Sequence, residues 1–197
     1  MAYAVAAVAG TGFLGMLLLM QLDPDDFARI DAIATALAHH LQTITWAEVL
    51  IVITTLGSTT SIIALAVLVA VFLRHTPTHL RQLLVLMLAE SASVELLKPY
   101  IGRIRPEALP WIGPLHSFSF PSGHATASMA LFGFIAILGA ERIKNRTLRY
   151  GFLALLLVLI TAIGISRIVL GAHYASDVIA GYLLGAFWVA VVYVFVR

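Results

Sequence analysis

Six apolar runs, about 16 to 28 residues each, divide this chain and restrict its fold more than any other feature. They cover residues 2–20, 46–73, 80–97, 122–140, 150–165 and 176–196. A helix needs about 20 apolar residues to cross the hydrocarbon core of a bilayer. The expected fold is therefore all-α: a polytopic membrane protein built as a six-transmembrane-helix bundle, one domain over residues 1–197. Composition agrees, with 61% hydrophobic and 11% charged residues, where a soluble domain carries about a quarter charged.

The connections carry the polar chemistry. Asp23-Pro24-Asp25-Asp26 ends the first run and puts an acidic patch outside the membrane. Residues 26–44 place Phe27, Ile30, Ile33, Ala34 and Leu37 at helical spacing, which predicts a short amphipathic helix at the interface. His39 and His40 at its end read as solvated side chains, since no carboxylate stands at a ligand spacing. The second run is long enough to tilt, or to break near Leu56-Gly57-Ser58. Glu90 and Glu95 interrupt the third, and an intramembrane carboxylate usually faces a polar interior. Glu95 lies one turn before Lys98, within pairing range.

Charge sets the orientation. Seven of the twelve basic residues fall in loops 74–81 and 141–149 and at Arg197, which predicts a cytoplasmic face holding these loops and both termini. The Lys98–His124 segment and a hinge at Gly171 then share the opposite face. The chain has no cysteine, which excludes disulfides, thiolate metal sites and a cysteine nucleophile. A net charge of +2 with no basic-aromatic interleaving argues against nucleic acid. The N-terminus lacks a basic region and a small-residue cleavage site, so it reads as a retained helix.

Three clusters converge on that face: Lys98 to Arg105-Pro106, then Pro121-Ser122-Gly123-His124, then Ser166-Arg167 with His173 and Asp177. Three cations suit a phosphate dianion, and the planar forks of Arg105 and Arg167 match phosphate oxygens. Ser122 and Gly123 open a helix whose first N–H groups attract anions. Asp177 follows His173 by four residues, so a helix there would let the carboxylate accept Nδ1–H and leave Nε2 free to attack. His124 could protonate a leaving oxygen. No carboxylate cluster calls for metal, and no cofactor is expected. Arg103 reads as a headgroup-facing cation. The apolar residues of the 106–120 loop, Trp111 and Phe118 among them, read as interfacial anchors.

Lys98-x6-Arg105-Pro106, Pro121-Ser122-Gly123-His124 and Ser166-Arg167-x5-His173-x3-Asp177 together resemble the three-part signature of the type 2 phosphatidic acid phosphatase family of integral-membrane lipid phosphatases. That resemblance implies that His173 attacks phosphorus and forms a phosphohistidine, oriented by Asp177, with His124 as general acid. It implies that Lys98, Arg105, Ser122, Gly123 and Arg167 hold the phosphoryl oxygens, without metal or cofactor. Its expected partners are membrane lipids and a lipid phosphate or diphosphate substrate, of the undecaprenyl diphosphate, phosphatidylglycerol phosphate or phosphatidate type. A bacterial inner membrane with the site facing the periplasm fits the small design. A phosphotransferase passing the group to a lipid or sugar acceptor is the alternative within the chemistry. A lipid-phosphate carrier or flippase is the alternative outside it.

Overall fold

The computed structural model describes residues 2–22, 24–39, 44–106, 115 and 117–196. The side chains of the 23–26 acidic patch and of His39 and His40 lie outside the described residues. So do 107–114 and His116, and with them Trp111 and most of the expected interfacial loop. The described residues form eight helices: α1 (Ala2–Leu22), α2 (Pro24–His39), α3 (Ile44–Leu56), α4 (Thr59–Leu73), α5 (Pro77–Ile101), α6 (Gly123–Arg142), α7 (Arg146–Val169) and α8 (Ala175–Phe195).

Helices α1, α6, α7 and α8 are long and apolar enough to cross a membrane. The α3–α4 pair makes a fifth crossing if counted as one span bent by 43°. That bend falls at Gly57-Ser58, where the long second run had room to break. A Cβ on Gly57 would stand 2.5 Å from Ile163 Cγ2 and 3.2 Å from His124 Cδ2, so the break presses backbone against the site. Ser58 then caps α4 by accepting from Ser61 N at 3.3 Å. Helix α5 is long enough at 25 residues, but Arg81, Glu90, Glu95 and Lys98 make it too polar to qualify on composition.

Both ends of α7 differ from the sequence expectation. Helix α7 runs to Val169 instead of ending at Ile165, because nothing breaks it before Gly171, whose φ of 68° only glycine adopts freely. Ser166 and Arg167 thus sit on the last helical turns, not in a hinge. The basic loop 141–149 shrinks to a short link, as Asn145 caps α7 by accepting from Leu148 N at 3.1 Å.

Helices α6 and α8 form the centre, with α1 and α5 against α8 and α7 and α4 against α6. Lipid offers helices no hydrophobic drive to associate, so small residues and close packing do that work. Gly181 and Gly185 of α8 supply the approach: a Cβ on either would meet a backbone oxygen of α6 at 2.7 Å, Ser122 O or Thr126 O. Below that seam Leu83, Leu86, Leu131, Phe134 and Val192 fill the interior. Phe72, Leu88 and Leu96 face outward, a pattern that suits lipid and would be a liability in water.

Helix α2 turns out differently from a simple amphipathic rod. Ile30, Ile33 and Leu37 face outward, as an interfacial helix requires, while Phe27, Asp31 and Ala38 are buried against the bundle. Its inner face carries a carboxylate.

Candidate active site

A cavity of about 570 Å³ opens among α4, α5, α6 and the α7–α8 turn. Lys98, Arg105, Gly123, His124, Arg167 and His173 all line it. The fold therefore gathers side chains from three distant stretches of sequence around one space. Lys98 comes from the last turn of α5, which Gly102 closes in the left-handed region at φ 64°. Gly123 and His124 open α6, and a Cβ on Gly123 would lie 3.8 Å from Lys98 Nζ. The same cavity is also lined by Ile62, Met87 and Glu90. Glu95 lines it too, but makes no ion pair with Lys98 among the described residues.

His173 is not helical. It lies in the turn before α8, so the expected shared helix face with Asp177 does not form. Asp177 instead sits in the first turn of α8 and reaches back, accepting from Tyr174 N at 2.9 Å. His173 Nδ1 is 3.6 Å from Asp177 Oδ2, long for a direct hydrogen bond. Ser119 fills the gap: its hydroxyl donates to Asp177 Oδ2 at 2.5 Å and lies 3.4 Å from Nδ1. On the other side of the ring, Arg105 Nη1 stands 2.9 Å from Nε2. A guanidinium has no acceptor, so this contact assigns the lone pair to Nε2 and the proton to Nδ1. Burial pulls the imidazole down to about 4; Asp177 opposes the fall, and Arg105 and Arg167 add to it. At neutral pH the ring is therefore uncharged.

Arg105 is held by Ser117 O at 2.6 Å, Ser117 Oγ at 2.9 Å and Ala172 O at 2.8 Å. Arg167 donates from Nη1 to Thr54 Oγ1 of α3 at 3.0 Å, while its buried Nε has no partner among the described residues. The Ser122 hydroxyl is likewise buried and without a partner among the described residues. It does not line the cavity; its backbone N–H donates to Asp177 O at 3.0 Å, tying α6 to α8.

Arg103 departs furthest from its expected role. It does not turn to the headgroup region but inserts between two carboxylates. Its Nη1 donates to Asp177 Oδ1 at 2.5 Å and Ser176 Oγ at 2.7 Å, and its Nη2 to Asp31 Oδ2 at 2.6 Å. Its guanidinium also lies over the Tyr174 ring, 4.3 Å from the centroid. Burial disfavours its charge, but Asp177 and Asp31 more than offset this and raise its pKa. Sequence reasoning missed Thr54, Ser117 and Ser119, whose hydroxyls carry no distinctive spacing. It missed Asp31 too, although a carboxylate one turn after Phe27 on an otherwise apolar face was a usable signal.

Comparison with known proteins identifies relatives of this chain. Residues 79–197 match the family model of the PAP2 superfamily. Phosphatidylglycerophosphatase B of Bacillus subtilis is 33% identical over 145 residues, covering 70% of this chain and 69% of that protein. Lipid A 1-phosphatase of Rhizobium johnstonii is 38% identical over 102 residues, 47% of this chain and 38% of that one. The crystal structure of a transmembrane PAP2-type phosphatidylglycerolphosphate phosphatase from Bacillus subtilis superposes with a TM-score of 0.83 at 27% identity, covering 96% of this chain and 94% of that one. Aquifex aeolicus LpxE shares the fold, with a TM-score of 0.65 at 22% identity over 82% of this chain and 93% of that one. The chain belongs to the PAP2 superfamily and is an integral-membrane lipid phosphatase of that type.

Proposed function

We propose that this protein hydrolyses the phosphomonoester of a glycerophospholipid headgroup, of the phosphatidylglycerol phosphate type, at the periplasmic face, through a phosphohistidine. The observation that carries the reading is the state of His173: Nε2 unprotonated at the wall of a cavity also lined by Lys98, Arg105, Arg167 and His124. The substrate class follows the Bacillus relative, which aligns over most of both chains. All six sequence runs then cross the membrane, with α5 as the polar-lined third span and both termini cytoplasmic.

The phosphoryl group enters between the cations. Its oxygens draw Arg105 away from Nε2, and Lys98, Arg167 and the Gly123 N–H hold the charge as it spreads in the transition state. Ser122 would join by turning its hydroxyl inward. His173 Nε2 attacks phosphorus in line, and the P–O bond to the lipid breaks as His124, which takes up a proton once the bound dianion offsets the surrounding cations, gives that proton to the leaving oxygen. The Nδ1–H stays directed at Ser119 and Asp177, which stabilise the positive charge on the phosphorylated ring. Water then attacks phosphorus, His124 takes its proton, and phosphate and neutral His173 are released. These residues need no metal for any step, so activity is expected to survive EDTA.

Phosphate release from a panel of purified lipid phosphates in detergent, with His173→Ala as the blank, tests the reading. A radiolabelled headgroup phosphate is expected to label the wild type in an alkaline, denaturing quench, which preserves an acid-labile P–N bond, and not the variant. Full turnover by His173→Ala would overturn the mechanism. Headgroup binding without release would favour a carrier.

A further inference from the structure

The catalytic cavity leaves one charged group unexplained. Behind His173, away from the cavity, a carboxylate, a guanidinium and a second carboxylate stand in series, all buried or nearly so. Asp31 is 2% exposed and Asp177 is not exposed at all. Arg103 bridges them through separate nitrogens, Nη2 to Asp31 Oδ2 and Nη1 to Asp177 Oδ1. Asp31 takes two further bonds from α8, accepting from Ser176 N at 2.9 Å and Ser176 Oγ at 2.7 Å. Three elements remote in sequence (α2, the segment after α5, and the N-terminus of α8) thus meet at one residue on either side of the orienting carboxylate.

We propose that Asp31 and Arg103 are positioning residues for the reaction, forming a charge clamp through which α2 fixes the orientation of Asp177 and thereby of His173. Burying an ion pair carries a desolvation penalty that a well-packed apolar pair avoids, so stability alone is a poor reason for one here. Geometry supplies a better one. Asp177 must present Oδ2 to Ser119 and the His173 edge while its Oδ1 is satisfied elsewhere. A carboxylate rotating about its last torsion would lose that aim. Arg103 on Oδ1, together with Tyr174 N–H on Oδ2, blocks that rotation. Asp31 in turn holds the guanidinium fork in plane and cancels the positive charge that Arg103 would otherwise project at His173.

That cancellation gives a readout distinct from mere anchoring of α2. The charged and titratable groups around His173 are Asp177 from α8, Arg105 from its loop and Arg167 from α7. His124 of α6 faces it, with Lys98 of α5 across the cavity. None of these changes in the variants. Arg103→Met removes a cation, making the field at His173 more negative and its protonation easier. Asp31→Asn leaves Arg103 uncancelled and does the opposite. The acidic limb of kcat/KM is therefore expected to move to higher pH in Arg103→Met and to lower pH in Asp31→Asn. Each is expected to lower kcat by about ten- to a hundredfold, the usual cost of losing an outer partner that orients a first-contact group. KM is expected to hold, since neither side chain lines the cavity.

The proposal rests on His173 as the attacking group. The experiment measures kcat, KM and the pH profile for wild type, both variants, the double variant and His173→Ala, full-length and purified in detergent. The double variant is expected to cost about as much as Arg103→Met alone, because Asp31 acts largely through Arg103. Should Arg103→Met fail to fold, Arg103→Lys serves, since an ammonium keeps the charge without the two-pronged bridge; its kcat is expected to fall with the limb unmoved. Limbs that stay put in both Arg103→Met and Asp31→Asn, or a raised KM at unchanged kcat, would overturn the clamp. A dead His173→Ala beside fully active clamp variants would overturn the clamp alone. An active His173→Ala would overturn the reading of the site beneath it.

Discussion

Replacing Gly181 by alanine probes whether the α6–α8 seam sets the catalytic geometry. The added Cβ would stand 2.7 Å from Ser122 O, 2.9 Å from Ala125 Cβ and 3.1 Å from Thr126 Oγ1. Carbon pairs attract at about 3.5 Å or beyond, so the two helices must part there by about 0.6 Å. Two of the three clashing atoms belong to α6 backbone or a Cβ, which cannot rotate aside. Overpacking of this kind costs about 1–3 kcal/mol of stability. The rate suffers more, because the seam lies one turn from the site. Asp177 precedes Gly181 by one turn, and its carbonyl accepts from Ser122 N at 3.0 Å. Widening the seam moves His124, on α6, away from His173 and Asp177, on the α8 side. A misplacement near 1 Å can cost about a hundredfold, so kcat in Gly181→Ala is expected to fall by about ten- to a hundredfold. Gly185→Ala is the control. Its Cβ would meet Thr126 O at 2.7 Å, about 6 Å farther along the helix. It should lose similar stability and much less rate. Phosphate release and thermal unfolding in the same detergent read both quantities. A fully active Gly181→Ala, or equal loss of kcat in both variants, would refute the link between seam and site.

Three further outcomes follow from the geometry. Gly57→Ala, whose Cβ would meet Ile163 and the His124 ring, is expected to reduce kcat at least tenfold through displacement of His124, with unfolding temperature and kcat read together. Asp177→Asn is expected to reduce kcat by about 10³–10⁴-fold through loss of tautomer control, and to destabilise the fold by leaving Arg103 half-paired; near-normal turnover would contradict the orienting role. The His173 value of about 4 lies below the ordinary 6.5, so between those two values the unfolded chain binds more protons than the folded one. Stability from this residue is therefore full above about pH 6.5 and is lost as pH falls toward 4, by up to about 3 kcal/mol. Unfolding midpoints of wild type and His173→Gln measured between pH 7 and pH 4 should show the wild type losing more.

Legibility differed between the two kinds of order in this protein. Long apolar runs announce themselves because a bilayer demands an unbroken 20-residue stretch, and α1, α6 and α8 were read to within a few residues. The α5 boundaries were harder, since Glu90, Glu95 and Lys98 interrupt its apolar pattern. Lys98, Arg105, His124, Arg167 and His173 were legible as one constellation because five polar groups of complementary chemistry recur on one predicted face. Arg103 was not. A cation two residues before another at a membrane edge is usually facing headgroups, and only a partner 72 residues away, Asp31, makes it internal. Ser119 escaped for a related reason: a serine between two phenylalanines has no period or spacing that marks it as the bridge between His173 and Asp177. Contacts set by tertiary meeting points leave little local trace.

The charge distribution accounts for why the cavity suits a phosphate and little else. Lys98, Arg105 and Arg167 face one space with Glu90 and Glu95 on its wall, while Asp177 lies behind His173 with Arg103 already on it. Like charges gathered in a low-dielectric pocket repel by several kcal/mol, a cost carried by the folded protein until an anion arrives. In the proposed mechanism a dianion relieves that repulsion, pairs with Arg167 Nε, which has no partner among the described residues, and draws Arg105 off His173 Nε2. Substrate binding and nucleophile release are then one event. Neutral lipids gain none of this, and a monoanionic diester gains less while offering a poorer match to three donors. A preference for terminal phosphates is what the same repulsion would favour, and it predicts that inorganic phosphate and vanadate stabilise the wild type against heat and do so far less in Arg167→Met.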